Sequence, residues 1–474
     1  MSVVDDVAVG AFPPERFRDV LSADRFARFE AEVERARRLF EGRVVWNVNS
    51  TAQGGGVAEM LRSLLAYARG AGIDARWAVI HGNPDFFRVT KRIHNNLHGA
   101  PGDGGDLGPD EAAVYRATLA EPAAELAELV RPDDVVIVHD PQPAGIVGRL
   151  RASGAVVVWR CHVGLDLPSD VARRAWRFLI PHVRPADAYV FSRAAFAWEG
   201  LDRERVVVIP PSIDAFSPKN QELDDGARDA ILAAAGIVSG APDGAAPTFV
   251  RHDGTPGRVD RRATLVEDRP LPYDAPAVVQ VSRWDRLKDP IGVMEGFARH
   301  ADAADAHLVL AGPAVEAVSD DPEGAEVLRA TTDAWRALPA RARARVHLAA
   351  LPMDDGEENA AIVNALQRHA RVAVQKSLAE GFGLTVAEAM WKARPVVASR
   401  IGGIQDQIVD GVSGVLVDPA DLGAFGAAVT RLLADGDTAR RIGREAQERV
   451  RDEFLAARHL MQYVGLVASL LARR

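Results

Sequence analysis

Short, valine-rich apolar runs alternate with segments of helical periodicity, and this alternation constrains the fold more than any other feature. In the first half of the chain the runs predict strands at 44–48, 75–80, 135–140, 155–160, 188–192 and 206–210. In the second half they recur at 277–282, 307–313, 345–351, 372–377, 395–399 and 414–418. Strands that are apolar throughout and alternate with helices form parallel sheets covered on both faces. The sequence therefore predicts an α/β protein with two doubly wound, Rossmann-like domains.

The length of 474 residues also favours two domains, because one core rarely organises so long a chain. We place the hinge near Ser212 to Lys219, which gives an N-terminal domain at 1–215 and a C-terminal domain at 216–455. The last helix, within 456–474, is expected to pack back onto the N-terminal domain. The segment 239–276 is rich in Gly, Pro, Asp and Arg, and we interpret it as a long insertion or surface loop.

Composition excludes several classes of function. The net charge of −9 argues against nucleic acid or an anionic membrane as the main partner. The single cysteine, Cys161, allows neither an intrachain disulfide nor a cysteine-based zinc cluster. The first residues lack a basic-then-apolar signal pattern, and the apolar runs are too short to span a bilayer. We expect a cytoplasmic protein.

In open parallel sheets, ligands bind at the carboxyl ends of the strands. After the first predicted strand, Gly54, Gly55 and Gly56 open a helix. Glycines there permit close backbone approach, and a helix N-terminus attracts anions. The loop is either an anion or sugar cradle or a flexible turn. It matches neither the dinucleotide GxGxxG pattern nor a Walker loop.

Arg283 and Lys288 follow the first strand of the second domain, in VSRWDRLKDP. Two cations at that position could hold a diphosphate, Arg as a fork and Lys as a point charge. The alternative is a pair of solvated loop charges.

The stretch EGFGLTVAE places Glu380 and Glu388 on either side of a turn that opens a helix at Gly383, Leu384 and Thr385. Thr385 and Glu388 have the spacing of a capping box, in which Glu388 would bind backbone N–H groups. Alternatively, both carboxylates accept hydrogen bonds from the hydroxyl groups of a sugar and a ribose.

In the first domain, His162 follows a strand in WRCHVGLD, and Asp140 and Gln142 follow another in VHDPQPAG. His162 could contact a sugar hydroxyl or buffer charge, or be structural. Asp140 and Gln142 could orient an acceptor sugar or form a proline-bounded turn. No Asp-x-Asp or His-rich metal pattern follows a strand, so we predict no cofactor and no essential metal.

Together these motifs, with IPPSID and IGGIQDQIVDGVSGVLV, resemble the retaining glycosyltransferases of the GT-B fold, in the sucrose- and trehalose-synthase-like group. Within that group, GGGVAEML, DARWAVIHGNPDFFRVTKRIHNNLHG, VHDPQPAG and QKSLAEGFGLTVAEAMWKARPVVAS are similar to the trehalose glycosyltransferring synthases and the related trehalose phosphorylases. The resemblance implies two domains facing across a cleft. It also implies reversible transfer of glucose from a nucleoside diphosphate to free glucose, giving an α,α-1,1 linkage with retention.

The same resemblance implies a role for each residue. Arg283 and Lys288 would stabilise the leaving diphosphate, Glu388 would bind the ribose, and Glu380 would contact the donor hexose near His162. The donor phosphates or sugar would lie against Gly55, Gly56 and the helix start at Gly383, Leu384 and Thr385. The acceptor would lie near Asp140, Gln142, Asn49 and Lys91. A homodimer is a further expectation from the family.

Two rival functions remain open from the sequence. A trehalose phosphorylase could use the same cations for inorganic phosphate. A non-catalytic sugar- or nucleotide-binding protein could use the same two-domain architecture.

Overall fold

The computed structural model describes residues 3–52, 55–242, 244–301, 305–315 and 322–473. The chain divides into two compact units. Unit 1 comprises Met1–Ser212 and Phe454–Arg474, and unit 2 comprises Ile213–Glu453. The boundaries expected from the sequence were 215 and 455.

Each unit alternates strands with helices. The strands of unit 1 are β1 (Val4–Asp6), β2 (Val44–Asn49), β3 (Asp74–Ile80), β4 (Val135–His139), β5 (Val156–Cys161), β6 (Ala188–Phe191) and β7 (Val206–Val208). Its helices are α1 (Ala23–Leu39), α2 (Gly55–Gly70), α3 (Pro84–Leu97), α4 (Pro109–Leu129), α5 (Val147–Ala152), α6 (Asp170–Val183) and, at the C-terminus, α16 (Ala456–Leu471).

Unit 2 repeats the pattern. Its strands are β8 (Val238–Ser239), β9 (Thr248–Val250), β10 (Pro256–Arg258), β11 (Thr264–Val266), β12 (Leu271–Pro272), β13 (Ala277–Val281), β14 (His307–Pro313), β15 (Val346–Leu351), β16 (Val372–Gln375), β17 (Val396–Ser399) and β18 (Val415–Val417). Its helices are α7 (Asp225–Ala234), α8 (Pro290–His300), α9 (Pro322–Arg336), α10 (Ala340–Arg343), α11 (Gly356–His369), α12 (Leu384–Trp391), α13 (Ile404–Gln407), α14 (Leu422–Ala434) and α15 (Gly436–Glu453).

The two main sheets confirm the predicted α/β class. In the described residues, the sheet of unit 1 has the order β1-β3-β2-β4-β5-β6-β7, and that of unit 2 the order β11-β15-β14-β13-β16-β17-β18. All twelve predicted strands lie in these sheets and pair in parallel. Each sheet also has an edge strand that the apolar pattern did not reveal, β1 and β11, and both pair antiparallel.

Both faces of each sheet are buried, which explains why the strands are apolar throughout. Val136 and Val138 of β4 pack into one core cluster of unit 1, while Val135 and Ile137 pack into a second cluster on the opposite face. Unit 2 likewise has a separate core on each face of its sheet. Alternate side chains of a strand point to opposite faces, so a strand with two buried faces needs apolar residues at every position.

Helix α16 completes unit 1 although it is the last element of the chain. Its buried residues Val464, Val467 and Leu470 pack with Phe40, the C-cap of α1, and with Ile137 of β4. The C-terminal helix thus covers one face of the first sheet, as the predicted fold class has it.

The segment 239–276 is not a surface loop. It contains the hairpin of β9 and β10, edge strand β11, and β12, which pairs with β8. Phe249, Val259 and Leu271 are buried in the core of unit 2. The Gly- and Pro-rich composition concealed this structure because each strand has only two or three residues.

The strand orders fix where ligands can bind. In unit 1 the chain reverses its direction of winding between neighbouring strands β2 and β4, and in unit 2 between β13 and β16. The carboxyl ends of strands at such a switch point form the usual ligand crevice of an open α/β sheet. No helix among the described residues is long and apolar enough to cross a membrane.

Candidate functional site

The switch point of unit 2 brings two of the predicted site residues into direct contact. Lys288 follows β13 and Glu380 follows β16, and their Nζ and Oε2 atoms lie 2.5 Å apart. Their side chains are largely buried, with 16% and 11% exposed. Arg283 lies on the same loop, pairs with Asp285 at 3.1 Å, and leaves 59% of its side chain exposed. One cation is therefore held at an acid, and a second is accessible beside it.

Residues that the sequence analysis missed hold Lys288 in place. The amide of Gln280 donates to the backbone oxygen of Lys288 at 3.0 Å, and its side-chain oxygen accepts the N–H of Lys376 at 3.3 Å. The buried Lys376 ammonium contacts Asp289, which has a positive φ of 50° and caps α8. Gln280 lies within the apolar strand β13 and Lys376 directly follows β16, so polar residues near these strand ends were the available signal.

The loop carrying Glu380 packs tightly against the loop before α13. Gly402 has a φ of 47°, and a Cβ atom there would lie 1.8 Å from the backbone oxygen of Glu380. The amide of Gln407 donates to the backbone oxygen of Phe382 at 2.5 Å. The Gly-Gly pair of IGGIQDQ therefore allows an approach that fixes the Glu380 loop.

The capping-box interpretation of Thr385 and Glu388 is wrong. Helix α12 begins at Leu384, and its N-cap is Gly383 with a φ of 83° and no side-chain cap. Thr385 instead donates from Oγ1 to the side-chain oxygen of Gln375 at 3.1 Å. The helix N-terminus is thus left with the capacity to bind an anion.

Glu388 is buried in a polar cluster beside α12. Its Oε1 lies 3.8 Å from Nζ of Lys219, the last residue of the predicted hinge segment. The buried ammonium of Lys392 donates to the backbone oxygen of Glu388 at 3.1 Å and to side-chain oxygens of Asn220 and Gln367. Burial lowers the pKa of Lys392 well below its ordinary value, although Glu388 opposes the shift. One lysine therefore lies near the predicted ribose-binding carboxylate, and a second binds the backbone of the same residue.

In unit 1, Gly55 and Gly56 are the first residues of α2, so the Gly-rich stretch does open a helix after the first strand of the series; Gly54 lies outside the described residues. Asn49 ends β2, donates to the backbone oxygen of Thr51 at 2.7 Å and accepts from Trp77 at 2.9 Å. Its amide therefore shapes the turn that leads to α2.

The other acceptor-side candidates are placed differently. Gln142 is partly exposed in the bend after β4, and Lys91 is exposed on α3. Neither is brought into a described side-chain contact with Asp140 or His162. Their predicted roles stay predictions.

Asp140 and His162 do come together at the ends of β4 and β5. Asp140 accepts the backbone N–H of His162 at 2.8 Å. It adopts a positive φ of 66°. Burial raises the pKa of Asp140 to about 6, against the lowering effects of the His162 N–H and Arg160. Part of its population is therefore protonated near neutral pH.

His162 belongs to a directed chain of hydrogen bonds. Its Nδ1 lies 3.4 Å from Nε of the fully buried Arg160, and its Nε2 lies 3.1 Å from Nδ1 of His139, whose Nε2 reaches Asn47 at 3.0 Å. Because a guanidinium can only donate, Nδ1 of His162 must accept and its Nε2 must carry the proton. Arg160 also donates to Tyr463 of α16 at 3.2 Å.

His139 and His162 are both uncharged at neutral pH. Burial, aided by the charge of Arg160, lowers the pKa of His139 to about 3 and that of His162 well below its ordinary value. This disfavours the interpretation of His162 as a charge buffer. His162 is instead a neutral ring of fixed tautomer.

Two family models and several known proteins are similar to this chain. Residues 47–198 match the family model "Trehalose synthase, N-terminal domain", and residues 262–449 match "Glycosyl transferases group 1". A trehalose synthase of Rubrobacter xylanophilus is 35% identical over 459 residues, covering 96% of both chains. A trehalose phosphorylase of Pleurotus pulmonarius is 24% identical and covers 93% of this chain but 58% of its own length.

Solved structures share the fold at lower identity. A trehalose-phosphate synthase of Burkholderia xenovorans matches with a TM-score of 0.65 at 15% identity, covering 91% of this chain and all of that one. The architecture is therefore GT-B, as predicted. With a relative above 30% identity along nearly its full length, the chain belongs to the trehalose synthase family of glycosyltransferases.

Proposed function

We propose that this enzyme transfers glucose from a nucleoside diphosphate glucose to free glucose, with retention, and forms trehalose. The observation that carries the proposal is the contact between Lys288 and Glu380 at the switch point of unit 2, with Arg283 exposed on the same loop. It supports a site that presents positive charge to a diphosphate and a carboxylate to sugar hydroxyls.

The proposed chemistry needs charge stabilisation more than a protein nucleophile. Breaking the anomeric C–O bond leaves the electron pair on the diphosphate and an oxocarbenium-like sugar. Lys288, Arg283 and the N–H groups at the start of α12 would stabilise that growing negative charge. The acceptor hydroxyl would attack the same face, and its proton would pass to the leaving phosphate oxygen.

Glu380 would exchange its partner when the donor binds. In the described structure its Oε2 contacts Lys288 and lies 3.4 Å from Oγ of Ser377. A bound diphosphate would compete for the lysine, and the carboxylate would then accept hydrogen bonds from hexose hydroxyls. Glu388, held near Lys219, would do the same for the ribose.

A panel of donors tests the proposal. The purified chain is incubated with glucose and one of UDP-, ADP- or GDP-glucose or glucose 1-phosphate, and the linkage of the product is determined by NMR. We expect an α,α-1,1 disaccharide from at least one nucleotide sugar. A product from glucose 1-phosphate alone would identify a phosphorylase, and binding without turnover would identify a non-catalytic protein.

A further inference from the structure

A cavity lies at the end of the unit 2 sheet opposite the switch-point site, where the parallel strands begin. Its volume is about 570 Å³, and its wall includes the residues just before β13, β14, β16 and β17. A five-residue strand such as β13 spans about 16 Å, so this cavity is separate from the switch-point site. We refer to it as the amino-end pocket.

Four arginines line the amino-end pocket: Arg228, Arg368, Arg371 and Arg394. The wall also carries two carboxylates, Asp274 and Asp305, together with His369. The guanidinium groups therefore outnumber the acids on the wall two to one.

Two of the four arginines are neutralised by their own partners. Arg228 pairs with Asp225 at 2.6 Å and with Asp229 at 2.7 Å, and Arg368 pairs with Glu222 at 2.9 Å.

The other two, Arg371 and Arg394, make no ion pair within the described part of unit 2. Among the described residues, the side chain of Arg394 donates to two backbone oxygens, those of Lys392 at 3.0 Å and Ala370 at 3.3 Å. A carbonyl satisfies an N–H group but does not neutralise the positive charge, which Asp225, itself paired with Arg228, offsets only in part.

The charges in the pocket repel one another. The pKa of Arg394 is lowered, first by burial and then by Arg368 and Arg228, with a smaller effect of Arg371, although Asp225 opposes the shift. His369 is kept neutral because burial and Arg228 lower its pKa, and its buried Nε2 has no hydrogen-bond partner among the described residues. A partly buried cation such as Arg394, held close to other cations, is unfavourable unless an anion accompanies it.

We propose that the amino-end pocket binds a small phosphorylated metabolite, with its phosphate on Arg371 and Arg394 and its ring against Tyr273 and Leu433. Planar guanidinium groups bind phosphate oxygens in pairs, and the volume fits a ligand of sugar-phosphate or nucleotide size. The proposal does not depend on the reaction at the switch-point site.

Calorimetric titration of the full-length chain at low salt tests the pocket. The probes are inorganic pyrophosphate, glucose 6-phosphate and AMP, each titrated into wild type, Arg371→Ser, Arg336→Ser and Lys288→Ala. Arg336 is the matched control because it is an exposed arginine of the same unit outside the pocket. Arg371 is exposed, so its loss should leave the fold intact, and an unchanged melting temperature checks this.

We expect at least one probe to bind wild type, Arg336→Ser and Lys288→Ala alike, and to bind Arg371→Ser at least tenfold more weakly. A preference for glucose 6-phosphate or AMP would distinguish a sugar phosphate from a nucleotide. Absence of binding to wild type at millimolar probe, or equal binding to Arg371→Ser, would overturn the proposal. Loss of binding in Lys288→Ala alone would show that the probe binds the switch-point site, which also overturns it.

Discussion

At the scale of single residues, the candidate site depends on charges held where strands end. Lys288 is fixed at Glu380 through backbone contacts made by Gln280, and Lys376 lies buried against Asp289. Removing one partner of such an ion pair in a partly buried site costs free energy, because the other charge is left without compensation. A ligand that takes over one partner must therefore bring matching charge or hydroxyl groups.

Lys288→Ala should lower turnover about 100- to 1000-fold, the usual effect of removing one preorganised charge-stabilising group. The matched control is Arg286→Ala, because Arg286 lies on the same turn but pairs with exposed Glu326. The measurement is the steady-state kcat with the best nucleotide donor, beside the melting temperature. Near-normal turnover in both Lys288→Ala and Arg283→Ala would remove the diphosphate assignment.

Asp140→Asn should make unit 1 more stable at pH 8. The pKa of Asp140 is raised to about 6 by burial, so the folded state holds the proton more tightly than the unfolded state. The contribution of Asp140 to the free energy of unfolding is therefore most favourable below its ordinary pKa of 3.8. That contribution is lost as pH rises through about 6 and the buried carboxyl ionises. Asn tolerates the positive φ and keeps the acceptor for His162, so we expect a gain of about 1–3 kcal/mol.

Urea unfolding of both chains at pH 4, 6 and 8 measures this difference. The gain should shrink towards zero at pH 4, because Asp140 is then protonated in the folded state and partly protonated in the unfolded state. A variant that is no more stable than wild type at pH 8 would mean that the carboxylate is not penalised by burial.

At the scale of elements, ion pairs hold the short strands within 239–276 against the start of helix α11. Arg251 pairs with Asp355 and, at 3.1 Å, with Glu357, at the start of the helix. Arg261 pairs with the buried Glu358 in the next position. These contacts, with Phe249 in the core, explain how strands of two or three residues are held.

Arg251→Met should destabilise unit 2 by about 1–2 kcal/mol at pH 7, because it removes the hydrogen-bonded partner of two carboxylates. Arg251 lowers the pKa of Asp355 to about 2, so the stabilisation is present above the ordinary pKa and is lost as pH falls from about 4 towards 2. Arg258→Met is the control, since Arg258 pairs with Asp260 at an exposed position of the same hairpin. Thermal unfolding at pH 7 and pH 3 checks the difference; equal losses in the two variants would contradict it.

At the scale of the whole molecule, the chain builds unit 2 from one continuous segment and unit 1 from two. The apolar face of α16 supplies Val464, Leu466, Val467 and Leu470 to a core otherwise formed by the N-terminal part of the chain. Each such side chain stabilises by about 1.5–3 kcal/mol when buried, so their sum is comparable with the whole stability of a domain.

A chain of residues 213–453 should therefore fold alone, whereas residues 1–212 without the C-terminal segment should not. The reason is that the second fragment leaves one face of its sheet uncovered. Cooperative thermal unfolding followed by circular dichroism distinguishes the two fragments. A cooperative transition for 1–212 alone would show that α16 is dispensable.

Prolonged incubation with EDTA should leave turnover unchanged, because the proposed charge stabilisation uses Arg283, Lys288 and backbone N–H groups. Among the described residues, no cluster of three or more histidine, cysteine or acidic side chains could hold a metal ion. Activity is measured before and after chelation and again with added Mg²⁺. Strict dependence on the added metal would contradict the proposed mechanism.

The strands and the first contacts of the site could be predicted because their signals are local. Buried parallel strands require apolar runs, and Lys288 and Glu380 stand directly after two of them. Edge strands β1 and β11 gave no such signal, since each has three residues and two or more of them are not fully buried.

The sequence by itself determined two parallel α/β sheets, the strand ends that carry charge, and the family. Only the tertiary structure decided that Gly383 rather than Thr385 is the N-cap residue of α12, that Arg160 fixes the tautomer of His162, and that Arg371 and Arg394 share a pocket. The physical reason is that the periodicity of apolar residues indicates only which positions of one strand or helix are buried. Residues that contact each other because of the order of strands in a sheet are distant in sequence, so a local sequence pattern cannot predict those contacts.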